Sequence, residues 1–141
     1  MGLAMEAAAL GAFMAREFPQ VAEDFAIERV GEHEIDVRLR VAERHLRPGG
    51  TVSGPSMFAL ADVSVYLAIL AMIGPQALAV TTGCSMDFMR KPAAGRDMIA
   101  RCRLLKLGRV LAVGDVLLFS EGQDAPVARA SMTYSIPPAR G

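Results

Sequence analysis

The stretch from Ser53 to Ile73, SGPSMFALADVSVYLAILAMI, constrains the chain more than any other. From Met57 onward every residue is apolar or small except Asp62. Apolar residues fall on every face of the helix this stretch predicts, which marks a helix enclosed by protein. Ser53, Gly54 and Pro55 supply its start, a capping residue followed by proline in the first turn, and Gly74-Pro75 closes it. A carboxylate in the middle of such a helix is expensive to bury and marks function more often than packing.

The segments around it complete one domain spanning 1–141. Leu3 to Phe18 reads as an amphipathic packing helix, with Leu3, Leu10, Phe13 and Met14 near one face, ended by Pro19. Phe25 to Val41 alternates, with Phe25, Ile27, Ile35, Val37, Leu39 and Val41 on one side and Gly31-Glu32 as the turn of a hairpin. His45 to Val52 is loop, broken by Pro48, Gly49 and Gly50. After the helix come four extended runs, Ala77–Met89, Asp97–Leu107, Val110–Ser120 and Pro126–Tyr134, separated by turn-forming stretches and read as an antiparallel meander. A helix apolar all round, followed by long strands, implies an α+β domain in which a curved sheet wraps around that helix.

Several function classes are disfavoured. With 15 basic and 15 acidic side chains and no basic run, no phosphate-tracking surface is expected, so nucleic acid is not an expected partner. The apolar run after Asp62 is short for a bilayer span, and MGLAMEAAAL carries no basic leader, so a cytoplasmic location without membrane is expected. Cys84 and Cys102 lack metal-ligand spacing and are expected as small core residues in a reducing compartment. Neither His33 nor His45 belongs to a ligand cluster, and no metal site is expected.

Asp62 stands eight residues after Gly54, about 12 Å along a helix axis. The helix start offers unpaired N–H groups to a developing oxyanion, but Asp62 is too far along to act on the same atom. If both serve one reaction, the second group comes from another copy of the helix. A twofold pair of subunits with antiparallel helices makes two such sites. The bland alternative is an aspartate that only hydrogen-bonds within an interface.

The segment RPGGTVSGPSMFALAD resembles the N-x-x-G-x-x-H-G-G motif, with an Asp closing the seven residues after it, of PaaI-like acyl-CoA thioesterases of the hotdog fold. Gly50, Gly54 and Asp62 stand at matching positions, and TTGCSMDFMRKPAAGRDMIARCRLLKLGRVLAVGDV is similar to the strands that follow in that family. The resemblance covers roughly Arg47 to Tyr134 and implies hydrolysis of acyl-CoA-type thioesters. Asp62 would be the nucleophile or general base, the Gly54 N–H would polarise the carbonyl, and Thr82 would help place water. Arg90, Lys91 and Arg109 would meet the phosphates of coenzyme A, which belongs to the substrate, with no separate cofactor implied. A homodimer, assembling further to a homotetramer, is the implied assembly. Met57, Phe58, Tyr66 and Leu67 are candidates to line an acyl site between two buried helices.

Three positions depart from the family pattern: Arg47 stands for its Asn, Ser53 for its His and Pro55 for its second Gly. Pro55 has no N–H to offer an oxyanion. Arg47 and Ser53 are candidates to touch substrate in place of the residues they replace. These departures leave open a non-catalytic module that binds or senses acyl-CoA on the same fold. A hydratase or dehydratase of acyl thioesters is a further alternative, and would need a histidine beside the acid.

Overall fold

The structure, a computed structural model, describes residues 2–138. Helices α1 (Ala7–Glu17) and α2 (Pro19–Ala22) precede strands β1 (Phe25–Gly31) and β2 (Glu34–Leu39). The long helix α3 (Gly54–Ile73) follows, then β3 (Val80–Phe88), β4 (Met98–Leu107), β5 (Leu111–Ser120) and β6 (Ala128–Ser135). All six strands form one sheet in the order β1-β2-β4-β5-β6-β3, with every neighbouring pair antiparallel. The sheet curls around α3 in the hotdog arrangement that the resemblance implied.

The core follows from the two periodicities. On β2, Ile35, Val37 and Leu39 are buried, and on β6, Ala128, Ala130, Met132 and Tyr134 are buried, each set two apart and turned toward α3. Helix α3 presents buried residues all round, from Met57 to Met72. Its 20 residues and mean hydropathy of 2.0 would suit a bilayer span, yet 67% of its most apolar window is covered by the domain. The outer face of the sheet is charged and balanced: Arg38 pairs with Glu28, Asp97 and Glu121, and Arg129 with Asp87.

Close contact between helix and sheet depends on Gly114 of β5. A Cβ there would lie 3.0 and 3.1 Å from the two methyls of Val65, and 3.4 Å from Leu104. Val65 is fully buried and β-branched, so it has little freedom to turn away.

The structure corrects the sequence reading at four points. Helix α1 starts at Ala7 rather than Leu3, and Pro19 does not merely end it but opens the one-turn helix α2, where a missing N–H costs nothing. The β1–β2 turn falls at Glu32-His33, with His33 at φ 60°, after a bulge between Ile27 and Arg29 that shifts the register. The last four strands are not a simple meander: β4, β5 and β6 are consecutive, but β3 lies beyond β6 at the edge. Cys102 is buried as expected, whereas Cys84 is exposed on that edge strand.

Replacing Gly114 by Ala should destabilise the domain by about 1–2 kcal/mol in denaturant unfolding, the usual cost of overpacking a full core. Combining it with Val65→Ala should recover part of that loss, because the two sites compete for the same space.

Candidate active site

Helix α3 begins where the sequence places its cap. The Ser53 hydroxyl oxygen accepts from the Ser56 N–H (3.3 Å) and donates to the Ser56 hydroxyl (3.0 Å). Ser53 is thus engaged in holding the first turn. Behind it, Gly49 and Gly50 take positive φ values of 104° and 85°, turning the chain sharply into the helix. The ring of Phe88, at the far end of β3, lies 3.5 Å from where a Gly54 Cβ would stand. The Gly54 end of α3 and the C-terminal end of β3 are therefore neighbours.

The loop before α3 is fastened by His45. Its carbonyl accepts from Ser53 N–H (2.8 Å), and its Nδ1 accepts from Ala42 N–H (2.8 Å). That leaves Nε2 facing Asp24 at 3.3 Å, beside an ion pair between Asp24 and Arg44. Burial pushes the Asp24 carboxyl up, but the hydrogen bonds from Arg44 and His45 outweigh it and hold the group below its ordinary value. His45 serves the loop and has no hydrogen bond to Asp62.

Asp62 lies two turns further along α3, half-buried against β3 and β6. Tyr134 donates its phenolic hydrogen to Asp62 Oδ1 (2.8 Å), with its oxygen also 3.0 Å from the Asp62 carbonyl. The Thr81 hydroxyl donates to the same Oδ1. Among the described residues no hydrogen bond reaches Oδ2, so one carboxylate oxygen is pinned and the other is free. Burial first, and the Asp62 charge second, push the Tyr134 phenol well above its ordinary value, so it stays protonated as a donor.

The hydroxyl beside the acid is thus Thr81's and not that of Thr82. A bulge between Thr81 and Gly83 inserts one residue into β3, leaving Thr82 exposed, with its hydroxyl 3.4 Å from the Thr133 carbonyl. Tyr134 carries no motif, but period two along β6 turns it inward, and a buried phenol requires a polar partner. Thr81 had no such signal, because adjacent threonines cannot be told apart without the bulge.

The expected cations do not converge within one protomer. Arg90 and Lys91 follow β3 at its Phe88 end and are exposed, with Arg90 donating to the Pro126 carbonyl (2.8 Å). Arg109 is exposed in the β4–β5 turn, next to Leu111, which pairs with Ser135; Ser135 in turn pairs with Val80 at the other end of β3. The nine residues of β3 separate these ends by about 27 Å. Arg47 is exposed in the loop, its backbone closing a turn with Thr51 and Gly50, and among the described residues it forms no ion pair with Asp62. Of the candidate acyl-lining residues, Tyr66 borders the cavity at Asp62, while Met57 and Leu67 are core and Phe58 is exposed. A broader groove of about 970 Å³ crosses the outer face of the sheet, lined by arginines and acids and on the other side of the sheet from Asp62. No group of three His, Cys, Asp or Glu side chains among the described residues is placed to hold a metal ion.

A single acid on the enclosed helix, anchored by hydroxyls from a hotdog sheet, is the candidate reactive group of this domain. Residues 49–135 match the model of the thioesterase superfamily, well over half of the chain, and the chain belongs to that family. It is similar to a provisionally assigned thioesterase of Silicibacter sp. TM1040, whose crystal structure is 63% identical with a TM-score of 0.92, covering 98% of this chain and 96% of that one. The phenylacetic acid degradation protein PaaI of Thermus thermophilus, solved as a point mutant, is 31% identical with a TM-score of 0.72, over 84% of this chain and 99% of that one. A provisionally assigned esterase of Pseudomonas aeruginosa is 30% identical over 80% of this chain and 83% of its own length. These likenesses bear out the PaaI-like reading and the activity of a thioester hydrolase.

Two substitutions probe the site and its loop. Tyr134→Phe should cost about 1–3 kcal/mol in denaturant unfolding, the penalty for leaving a half-buried carboxylate short of a donor, and should slow thioester hydrolysis. Asp24 is held below its ordinary value of 3.8 in the folded state, so its contribution to stability is full above that value and is lost as pH falls below it through the lowered folded-state value. Asp24→Asn should therefore be less stable than the parent at pH 7, with the difference shrinking toward pH 3.

Proposed function

We propose that the protein hydrolyses acyl-CoA thioesters at a site shared by two subunits. The observation that carries this is the state of Asp62: two neutral hydroxyls fix Oδ1, and Oδ2 is left free for chemistry. Asp62 attacks the thioester carbonyl or takes a proton from the water that does. The C–S bond breaks as the C–O bond forms, and the thiolate leaves to be protonated as the free thiol. In the nucleophilic route, water then hydrolyses the Asp62 anhydride and restores the carboxylate.

The oxyanion needs a donor that Asp62's own helix end, two turns away, cannot provide. The layout of β3 supports a second chain as its source. Asp62 and Thr81 lie at one end of this strand, and Gly54, Phe88, Arg90 and Lys91 at the other. β3 is a sheet edge with most of its residues exposed, so its outer backbone groups are available for pairing. Antiparallel pairing of two such edges brings each Asp62 to the partner's helix start. It also brings Arg109 of one chain toward the end where its partner carries the Arg90-Lys91 pair, a set suited to phosphates. Gly54 retains a backbone N–H at that helix start, whereas Pro55 has none and the Ser56 N–H is engaged by the Ser53 cap. Two dimers pairing again would give the tetramer.

Asp62→Asn should lower hydrolysis of acyl-CoA thioesters at least ~100-fold in a free-thiol assay, the scale of a lost base or nucleophile. Sedimentation of the parent protein should show a dimer or larger. An active monomer would refute the shared site, and undiminished turnover by the Asp62→Asn variant would refute the role of the acid.

A further inference from the structure

Beside Asp62 lies a cavity of about 340 Å³ with an unusual origin. One side is α3 and the sheet, represented by Tyr66, Val80 and Tyr134; the other is Met14, Phe18 and Val21 from the α1–α2 segment. These last three precede residue 49, where the match to the thioesterase superfamily begins. The wall facing the acid is thus supplied by a segment outside the matched residues 49–135.

The lining is apolar and uncharged apart from Asp62. Among the described residues no lysine, arginine, histidine or glutamate borders it, and its two phenols are kept protonated by burial, which pushes Tyr66 up to about 12. Phe18 stands edge-on to Tyr66, with ring centres 5.6 Å apart at 85°; Tyr66 lies 6.3 Å from Tyr134, and Tyr134 holds Asp62. An aromatic floor therefore runs from the outer end of the cavity to the carboxylate.

The position of Phe18 is fixed by the chain. Its N–H donates to the Met14 carbonyl (2.8 Å), closing α1, and its carbonyl accepts from Val21 (3.1 Å) and Ala22 (2.9 Å), opening α2. Pro19 forbids a continuous helix, so the backbone leaves helical angles at Phe18. Phe18, Val21 and Val80 remain 36%, 37% and 54% exposed around this one cavity. Apolar surface gathered about a carboxylate suits a ligand that is apolar at one end and reacts at the other.

We propose that this cavity is the acyl subsite, and that the α1–α2 segment sets which acyl groups are accepted. The inference rests on the hydrolase reading above and adds the substrate class: apolar, uncharged acyl groups. A cavity of about 150 Å³ admits benzene, and at the ~30 Å³ that a water occupies this one holds on the order of ten non-hydrogen atoms. An arylacyl group or a medium-length alkyl acyl group fits. Within one protomer, an acyl group ending in a carboxylate finds no cation lining the cavity among the described residues and has the charge of Asp62 close by, so it is disfavoured.

The test uses S-alkyl and S-aralkyl thioethers of coenzyme A, which bind without turnover, titrated calorimetrically into the full-length protein. Affinity should rise at least ~10-fold from the methyl to the octyl thioether, and by a similar factor from the methyl to the phenethyl thioether. A carboxylate-tipped thioether of octyl length should bind at least ~10-fold more weakly than octyl. Phe18→Trp, which fills the cavity, should cut the octyl-to-methyl preference at least ~10-fold, and Phe18→Ala should move the optimum to longer chains. Should Phe18→Trp fail to fold by circular dichroism, Val21→Trp, on the exposed rim, carries the same expectation. Affinity independent of chain length, or variants that change all thioethers by the same factor, would overturn the subsite. Chain-length-dependent binding with no thiol released from any thioester would instead leave the subsite standing and remove the hydrolase reading.

Discussion

Everything in this domain depends on enclosing a helix that has no polar face. α3 cannot lie on a surface, since its buried residues run from Met57 to Met72 on all sides, so the sheet must curl far enough to cover it. That requirement explains the six antiparallel strands, the alternating inward residues of β2 and β6, and the glycine of β5 that lets the backbone approach Val65. The same enclosure gives Asp62 its character. A carboxylate on an exposed helix would be one charge among many. Here it sits in the wall of an apolar core, held by hydroxyls that supply hydrogen bonds without neutralising it.

Much of this was legible in the residues alone, because the strongest signals came from burial. The unbroken apolar run, the Ser53 cap, the terminal Gly74 and the alternation of β2 each have one physical reading, and each stands in the structure. What could not be read was register. Nothing in TTGCSMDF announces the bulge that exchanges Thr82 for Thr81, because a bulge is stabilised by the strand it faces. The place of β3 beyond β6 was hidden for a similar reason. Short turns suggested neighbours in sequence order, whereas the strand after α3 is carried to the far edge. Tyr134 carries no sequence signal because its role appears only once its partner, Asp62, is placed beside it.

The departures from the family motif also take on a definite shape. Ser53, in the place of the family's histidine, is spent on capping α3, and Arg47, in the place of its asparagine, stands exposed in the loop. The hydrogen-bond frame around the acid has instead been built from the sheet, by Tyr134 and Thr81. The loop keeps its shape through His45 and Asp24, well away from the carboxylate. Support for the helix start and support for the acid are thus separate, and each can change without dismantling the other.

The outermost strand carries a further consequence. Along its outer side β3 leaves a row of amide and carbonyl groups with no strand beyond them, flanked by the exposed Val80 and Phe88. A solitary folded chain offers that ledge to whatever extended peptide it meets, its own nascent copies included. An uncovered edge of this kind favours strand-to-strand association between copies even while the core stays intact.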